Sequence, residues 1–239
     1  MSGDETGAGT NSGQAGQRLR DSLVVLLAFG AGVVNVTSFL ALGKVFSSVI
    51  TGNLVVLGMA AANVQPGLAL RSGLALAGYS AGVLIGAPIA ARGRRRVWPL
   101  GTTAALCTEL FLMLVFTVGW ETGRQHPGWR IALLVLLAAA MGMQSAAVRR
   151  LGSISATYLT GTLTGVLTGW ATANRQAGHW RDVGVLIALA TGAGAGAALI
   201  RLAPAWLPAL TLLPLCTVIA ASWFRLPPPP ATDGLMQPP

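Results

Sequence analysis

The sequence predicts an all-α polytopic membrane protein with about six crossings plus two re-entrant or half-span segments, arranged in two repeats. Three observations predict it. The chain is 53% hydrophobic and 10% charged over 239 residues, with a mean hydropathy of +0.65, whereas a soluble domain carries about 25% charged residues. Apolar runs long enough to cross a bilayer recur along the chain. And the chain resembles itself when shifted by 109 positions.

Taken in order, residues 1–21 begin "MSGDETGAGTNSGQAGQRLR" and have almost no apolar content, which predicts a disordered tail. Eight apolar segments follow, near 22–42, 45–62, 68–91, 98–119, 131–148, 154–172, 183–200 and 205–224. The first is too long for the core of a signal peptide and leads into no cleavage site, so it is read as a retained span. All seven tryptophans fall at or near segment ends, the pattern of an interfacial aromatic belt. Residues 227–239, Pro-rich at their start, predict a second disordered tail. The transmembrane domain is therefore 22–226.

The repeat rests on specific matches. At an offset of 109, Thr51, Gly52 and Leu54 fall on Thr160, Gly161 and Leu163, Pro99 on Pro208, and Asn35 on Gln144. Leu106, Cys107 and Thr108 fall on Leu215, Cys216 and Thr217, a costly coincidence in a chain with two cysteines. With a one-residue slip, Gly82 and Gly86 fall on Gly192 and Gly196. The halves are about 22–119 and 131–224.

The basic residues choose between topologies. If all eight segments cross, in two parallel four-helix repeats, the 16 Lys and Arg divide evenly between the two sides. If the second and sixth segments dip in and return, one side gains eleven, including Arg18, Arg20, Arg92, Arg149, Arg150 and Arg181. The other keeps Lys44, Arg71, Arg124, Arg130 and Arg201. The second division fits the positive-inside bias and puts both termini in the cytoplasm. It also inverts the halves, a recurring transporter arrangement. In 45–62 the sustained apolar run is Leu54 to Ala62, about 14 Å of helix, half a bilayer.

The stretches "LLAFGAGVVNVTSFLALGKVFSSVITGNLVVLG" and "GMQSAAVRRLG", the latter followed by "TYLTGTLTG", resemble the YoaK-like family of bacterial multi-pass membrane proteins, a domain of unknown function. The resemblance covers residues 22–226 and implies a six-pass inner-membrane protein. Asn35 stands where that family often has Asp, so a role that needs a carboxylate there does not carry over. The resemblance implies no activity.

The residues themselves supply the candidates. Thr51, Gly52 and Asn53, with Thr160, Gly161 and Thr162, are hydroxyl-rich segments at membrane depth. They are read as paired helix breaks lining a solute path, against close helix packing. Asn35 and Gln144 are carboxamides within spans, either site ligands or interhelical glue. Glu109 is a carboxylate midway along a span, a default functional candidate for carrying a coupled proton. Arg149 and Arg150 are candidates for an anion or lipid headgroup, or plain topology anchors.

The sequence argues against an enzyme. His126 and His179 sit in loops without ligand partners, and Cys107 and Cys216 are isolated within spans, so no metal or cofactor spacing exists. The net charge of +9 is scattered through short loops and implies no nucleic-acid partner. The expected partners are the lipid bilayer and a small solute or ion. The leading functional expectation is a small-solute transporter or channel in the bacterial inner membrane, with its path between the two Thr-Gly segments. The alternative is a non-transporting membrane scaffold or sensor.

Overall fold

A computed structural model describes residues 5–93, 97–123, 126–152, 159–172 and 179–225. Among these there are eight α-helices and no strand: α1 Glu5–Thr37, α2 Ile50–Ala62, α3 Pro66–Ala90, α4 Leu100–Gly123, α5 Pro127–Arg150, α6 Leu159–Ala171, α7 His179–Leu202 and α8 Leu207–Arg225. Six stretches are long and apolar enough to cross a membrane: Gln14–Gly43 along α1, then α3, α4, α5, α7 and α8. Helices α2 and α6 have 13 residues each, about 20 Å, short of a roughly 30 Å hydrocarbon core.

Contacts at the helix ends fix the direction of each crossing. Arg20 near the membrane entry of α1 reaches the Leu151 carbonyl beyond α5 at 3.5 Å, and Arg150 Nη2 donates to the Ala91 carbonyl beyond α3 at 3.1 Å. Arg181 at the start of α7 pairs with Asp21 at 3.6 Å. One face of the bundle therefore holds the entry of α1 and α7 and the exit of α3 and α5. Trp120 near the end of α4 donates to the Pro204 carbonyl just before α8, while Thr103 near the start of α4 meets Ser222 near the end of α8. Helices α4 and α8 are thus antiparallel. The first half runs in the order up, down, up and the second down, up, down, so the repeats are inverted.

The halves are interlocked. Helix α1 packs along α7, and α3 along α5. Glycine permits both approaches: a Cβ on Gly82 would fall on the Ala139 carbonyl, on Gly142 on that of Tyr79, on Gly192 on that of Phe29, and on Gly32 on that of Leu189. These four contacts are two reciprocal pairs related by 110 positions. Small residues that let backbones touch are the main adhesive where lipid is as apolar as leucine.

That register corrects one sequence match. In α1 and α5 the structural offset is 110, so Gln144 corresponds to Val34, and Asn35 to Ser145. The cause is a π-helix, Ser38–Gly43, at the end of α1. It holds one residue more than the α-helical end of α5, which restores the offset of 109 at which Leu42 and Leu151 match in the sequence. A π-helix arises from such an insertion and often marks a functional position.

The chain then turns back into the bundle. Lys44 adopts a left-handed conformation and its N–H donates to the Phe39 carbonyl. Phe46 stacks on Phe39 at 4.8 Å, and Ser48 reaches Asn35, 13 residues back. Residues 44–48 thus run antiparallel to the end of α1, and α2 starts at membrane depth and leads out to α3 on the same face. The Arg71 side chain lies against Gly43, which places the start of α3 level with the end of α1.

Two expectations change. Helix α1 continues N-terminally to Glu5, so residues 5–21 are helix rather than a disordered tail: extending an existing helix avoids the cost of nucleation. Residues 1–4 and the expected C-terminal tail, 227–239, lie outside the described residues. The aromatic belt is also partial. Trp129, Trp170, Trp180, Trp206 and Trp223 are exposed, but Trp98 and Trp120 are buried, each with its indole N–H satisfied inside the protein, Trp98 by Thr103 and Trp120 by Pro204.

Candidate functional site

A small cavity lies where the halves meet. Its lining comes from α1 (Leu27, Gly30, Val34), α4 (Glu109, Met113), α5 (Gln144) and α8 (Thr211, Pro214, Leu215). Because α1 corresponds to α5 and α4 to α8, the cavity is on the pseudo-two-fold axis. About 10 Å³ is open to the centre of a water molecule, about the minimum that holds one water.

Its chemistry is one-sided. Glu109 is 1% exposed. Gln144 Nε2 donates to Glu109 Oε1 at 3.0 Å, while Glu109 Oε2 is buried with no hydrogen-bond partner among the described residues. The ion pairs among the described residues join Arg20, Asp21, Arg181 and Asp182 at the bundle face, and none reaches Glu109. The equivalents of Glu109 and Gln144 are Val218 and Val34, so the second half supplies no matching polar pair. Pro214, inside α8, withholds an N–H from the Leu210 carbonyl, and the Thr211 hydroxyl donates to the Pro208 carbonyl at 2.8 Å.

The asparagines form a separate cluster. Asn35 Nδ2 donates to the Ala31 carbonyl at 2.9 Å and to Ser48 Oγ at 2.7 Å. Its Oδ1 accepts from Ser47 Oγ at 3.2 Å and from the Ser48 N–H at 3.0 Å. All four bonding positions of the carboxamide are used. Asn53 clasps the Phe46 backbone, Oδ1 accepting its N–H at 2.9 Å and Nδ2 donating to its carbonyl at 2.6 Å. Both side chains hold the re-entrant backbone in place, and Asn35 has nothing left to offer a solute.

The structure therefore separates the sequence candidates. It brings Glu109 and Gln144 together on the axis. Asn35 and Asn53 support the turn before α2. Thr51 is exposed and Gly52 half-buried at the start of α2; Thr160 and Gly161 are exposed and Thr162 is buried in α6. The two Thr-Gly segments do not form the axis, since α2 packs on α3 and α6 on α7. Nor is either helix broken at its glycine, because Gly52 and Gly161 lie in its first turns. The physical reason is that the first segment's polar backbone is satisfied by Asn35 and Asn53 and needs no counterpart from the other half. Of the arginines, Arg150 caps the end of α3 and Arg149 is exposed.

Thr211 and Pro214 were not singled out from the sequence. A proline inside an apolar span was the available signal, since it marks a turn with an unpaired carbonyl.

Residues 23–222 match a sequence family described as "Protein of unknown function (DUF1275)". The chain belongs to the DUF1275 family. It is also 37% identical over 150 residues to a protein of Bacillus subtilis (strain 168) named "UPF0700 transmembrane protein YoaK". That match spans 62% of this chain and 66% of the relative's own length. No solved structure matches. The DUF1275 region takes in both inverted halves, the axial Glu109–Gln144 pair and the asparagine-clamped re-entrant turn.

Proposed function

We propose that this protein is a small-solute transporter of the bacterial plasma membrane, in which two helix pairs, each drawn from both inverted halves, alternate around the Glu109–Gln144 site. The observation that carries this reading is a buried, partly unsatisfied carboxyl on the axis of an inverted repeat. An intramembrane acid is expensive and is a functional site by default, and transporters with inverted repeats place their sites at the repeat interface. The sequence-based path between the Thr-Gly segments gives way to one between α1, α4, α5 and α8. Two close-packed pairs, α1 with α7 and α3 with α5, supply rigid bodies. The less tightly joined surfaces between them, lined by side chains around the cavity, supply the place for relative motion. The face rich in arginine is the cytoplasmic one in this reading, with both chain ends there.

A scaffold or sensor without transport is the second reading. It is favoured by the closed, glycine-packed core and the one-water size of the cavity. Untargeted comparison of metabolites inside and outside cells separates the two, using cells that lack the protein, overproduce it, or overproduce Glu109→Gln. Transport predicts a solute whose distribution follows the wild-type protein and not the variant. Identical profiles in all strains, with the protein present in the membrane, contradict transport.

A further inference from the structure

We propose that the Glu109–Gln144 pair is a proton-binding site, in which Glu109 Oε2 takes up one proton and Gln144 holds the carboxyl in place through Oε1. This deepens the transport reading and rests on it for its use: the proton would be the coupling species.

Three features point to a proton rather than a metal ion. The site offers one carboxyl, whereas calcium takes about 6–8 oxygen ligands and magnesium demands near-ideal octahedral coordination. Gln144 presents its N–H to that carboxyl, a donor where a cation would need an acceptor. And the cavity has room for about one water, enough to relay a proton and too little for a hydrated cation. Protonation forms an O–H bond at Oε2 and turns a buried anion into a neutral acid, with no other bond made or broken. The neutral form removes the cost of an unpaired charge in a low-dielectric site. Gln144 Nε2 can donate to Oε1 in either form, so the carboxyl stays in place while Oε2 gains and loses its proton.

Among the described residues no other titratable side chain lines the cavity. On the helices packed against α4, Arg71 and Tyr79 belong to α3, Arg130, Arg149 and Arg150 to α5, and Cys216 and Arg225 to α8. The arginines lie towards helix ends, and Cys216 is exposed, as is Cys107 on α4 itself.

Infrared difference spectroscopy of the purified full-length protein in lipid vesicles, between acid and alkaline pH, tests this without any transport. The expected result is a protonated-carboxyl carbonyl band that is lost in Glu109→Gln and changes frequency in Gln144→Leu, which deletes the donor to Oε1. The band should be unchanged by sodium or magnesium chloride at fixed pH. If Glu109→Gln does not yield folded protein, Glu109→Asp keeps a carboxyl in altered surroundings and must shift the band. A band that is identical in every variant, or that either salt bleaches, overturns the inference. Metabolite profiling reads transport separately, so a transporter whose Glu109 binds no proton is distinguishable from a protein that moves nothing.

Discussion

Gln144 on α5 donates a hydrogen bond to Glu109 on α4 across 3.0 Å, and the pair joins the two inverted halves at the one acid that is buried among the described residues. Replacing Glu109 with Gln keeps an acceptor for that bond, so thermal stability should change by less than about 1.5 kcal/mol. Glu109→Leu leaves the Gln144 donor buried and unsatisfied, which costs about 1–3 kcal/mol. Thermal unfolding of both variants in one detergent checks this ordering; a Leu variant as stable as the Gln variant would remove the pair from the account.

Asn35 makes four hydrogen bonds that hold the chain where it turns back into the membrane. Asn35→Leu strands the Ser48 N–H and both serine hydroxyls at membrane depth. Loss of two or more such partners, at about 1–3 kcal/mol each, should lower the yield of folded protein sharply and expose residues 44–49 to proteolysis. Asn53→Leu should do the same, because it strands the Phe46 backbone on both sides. Wild-type yield and protease resistance would mean that the turn is held by something else.

Glycines should sort by what surrounds them. A Cβ at Gly82 would meet the Ala139 backbone, whereas one at Gly161 meets nothing within 4 Å. Gly82→Ala must push α3 off α5 and should destabilise. Gly161→Ala should be neutral or stabilising by up to about 1 kcal/mol through helix propensity. Melting temperatures of the two variants decide it, and the reverse order would contradict the crossing geometry. The sequence reading places Gly161 on the path, whereas the structure leaves it exposed in the first turn of α6.

The pattern of what was legible follows from range. Six spans, the duplication and the inversion were readable, because hydropathy, loop cations and the Leu-Cys-Thr match are properties of the chain itself. Glu109 and Gln144 each stood out as polar groups in apolar runs. What could not be read was which polar groups satisfy one another. Asn35 looked like a partner of Gln144 by register, but one inserted residue in the π-helix at Ser38–Gly43 moves the match to Ser145, and the Asn35 side chain is saturated by serines 12 and 13 residues on. The Thr-Gly segments looked like a shared site for the same reason. Their hydroxyls and glycines signal irregular backbone in lipid, and nothing in the chain says that the first is solvated by its own half.

Topology has its own check. In a Cys-free background, Lys44→Cys and Arg71→Cys should label with a membrane-impermeant thiol reagent from the same side. The reason is that the chain re-enters between them, and Arg71 lies against Gly43. An engineered Cys at Arg92 should label from the other side. Opposite labelling of 44 and 71 would require α2 to cross.

The central claim is that the axis between α1, α4, α5 and α8 is a path, and accessibility of Thr211 tests it most directly. Thr211 is 4% exposed and lines the cavity beside Glu109. With Thr211→Cys in a Cys-free background, alternating access predicts slow labelling by a small membrane-impermeant thiol reagent from each side in turn, in right-side-out and in inverted vesicles. No labelling from either side, while an engineered Cys at Lys44 reacts from its own, would show a closed core and contradict transport along this axis.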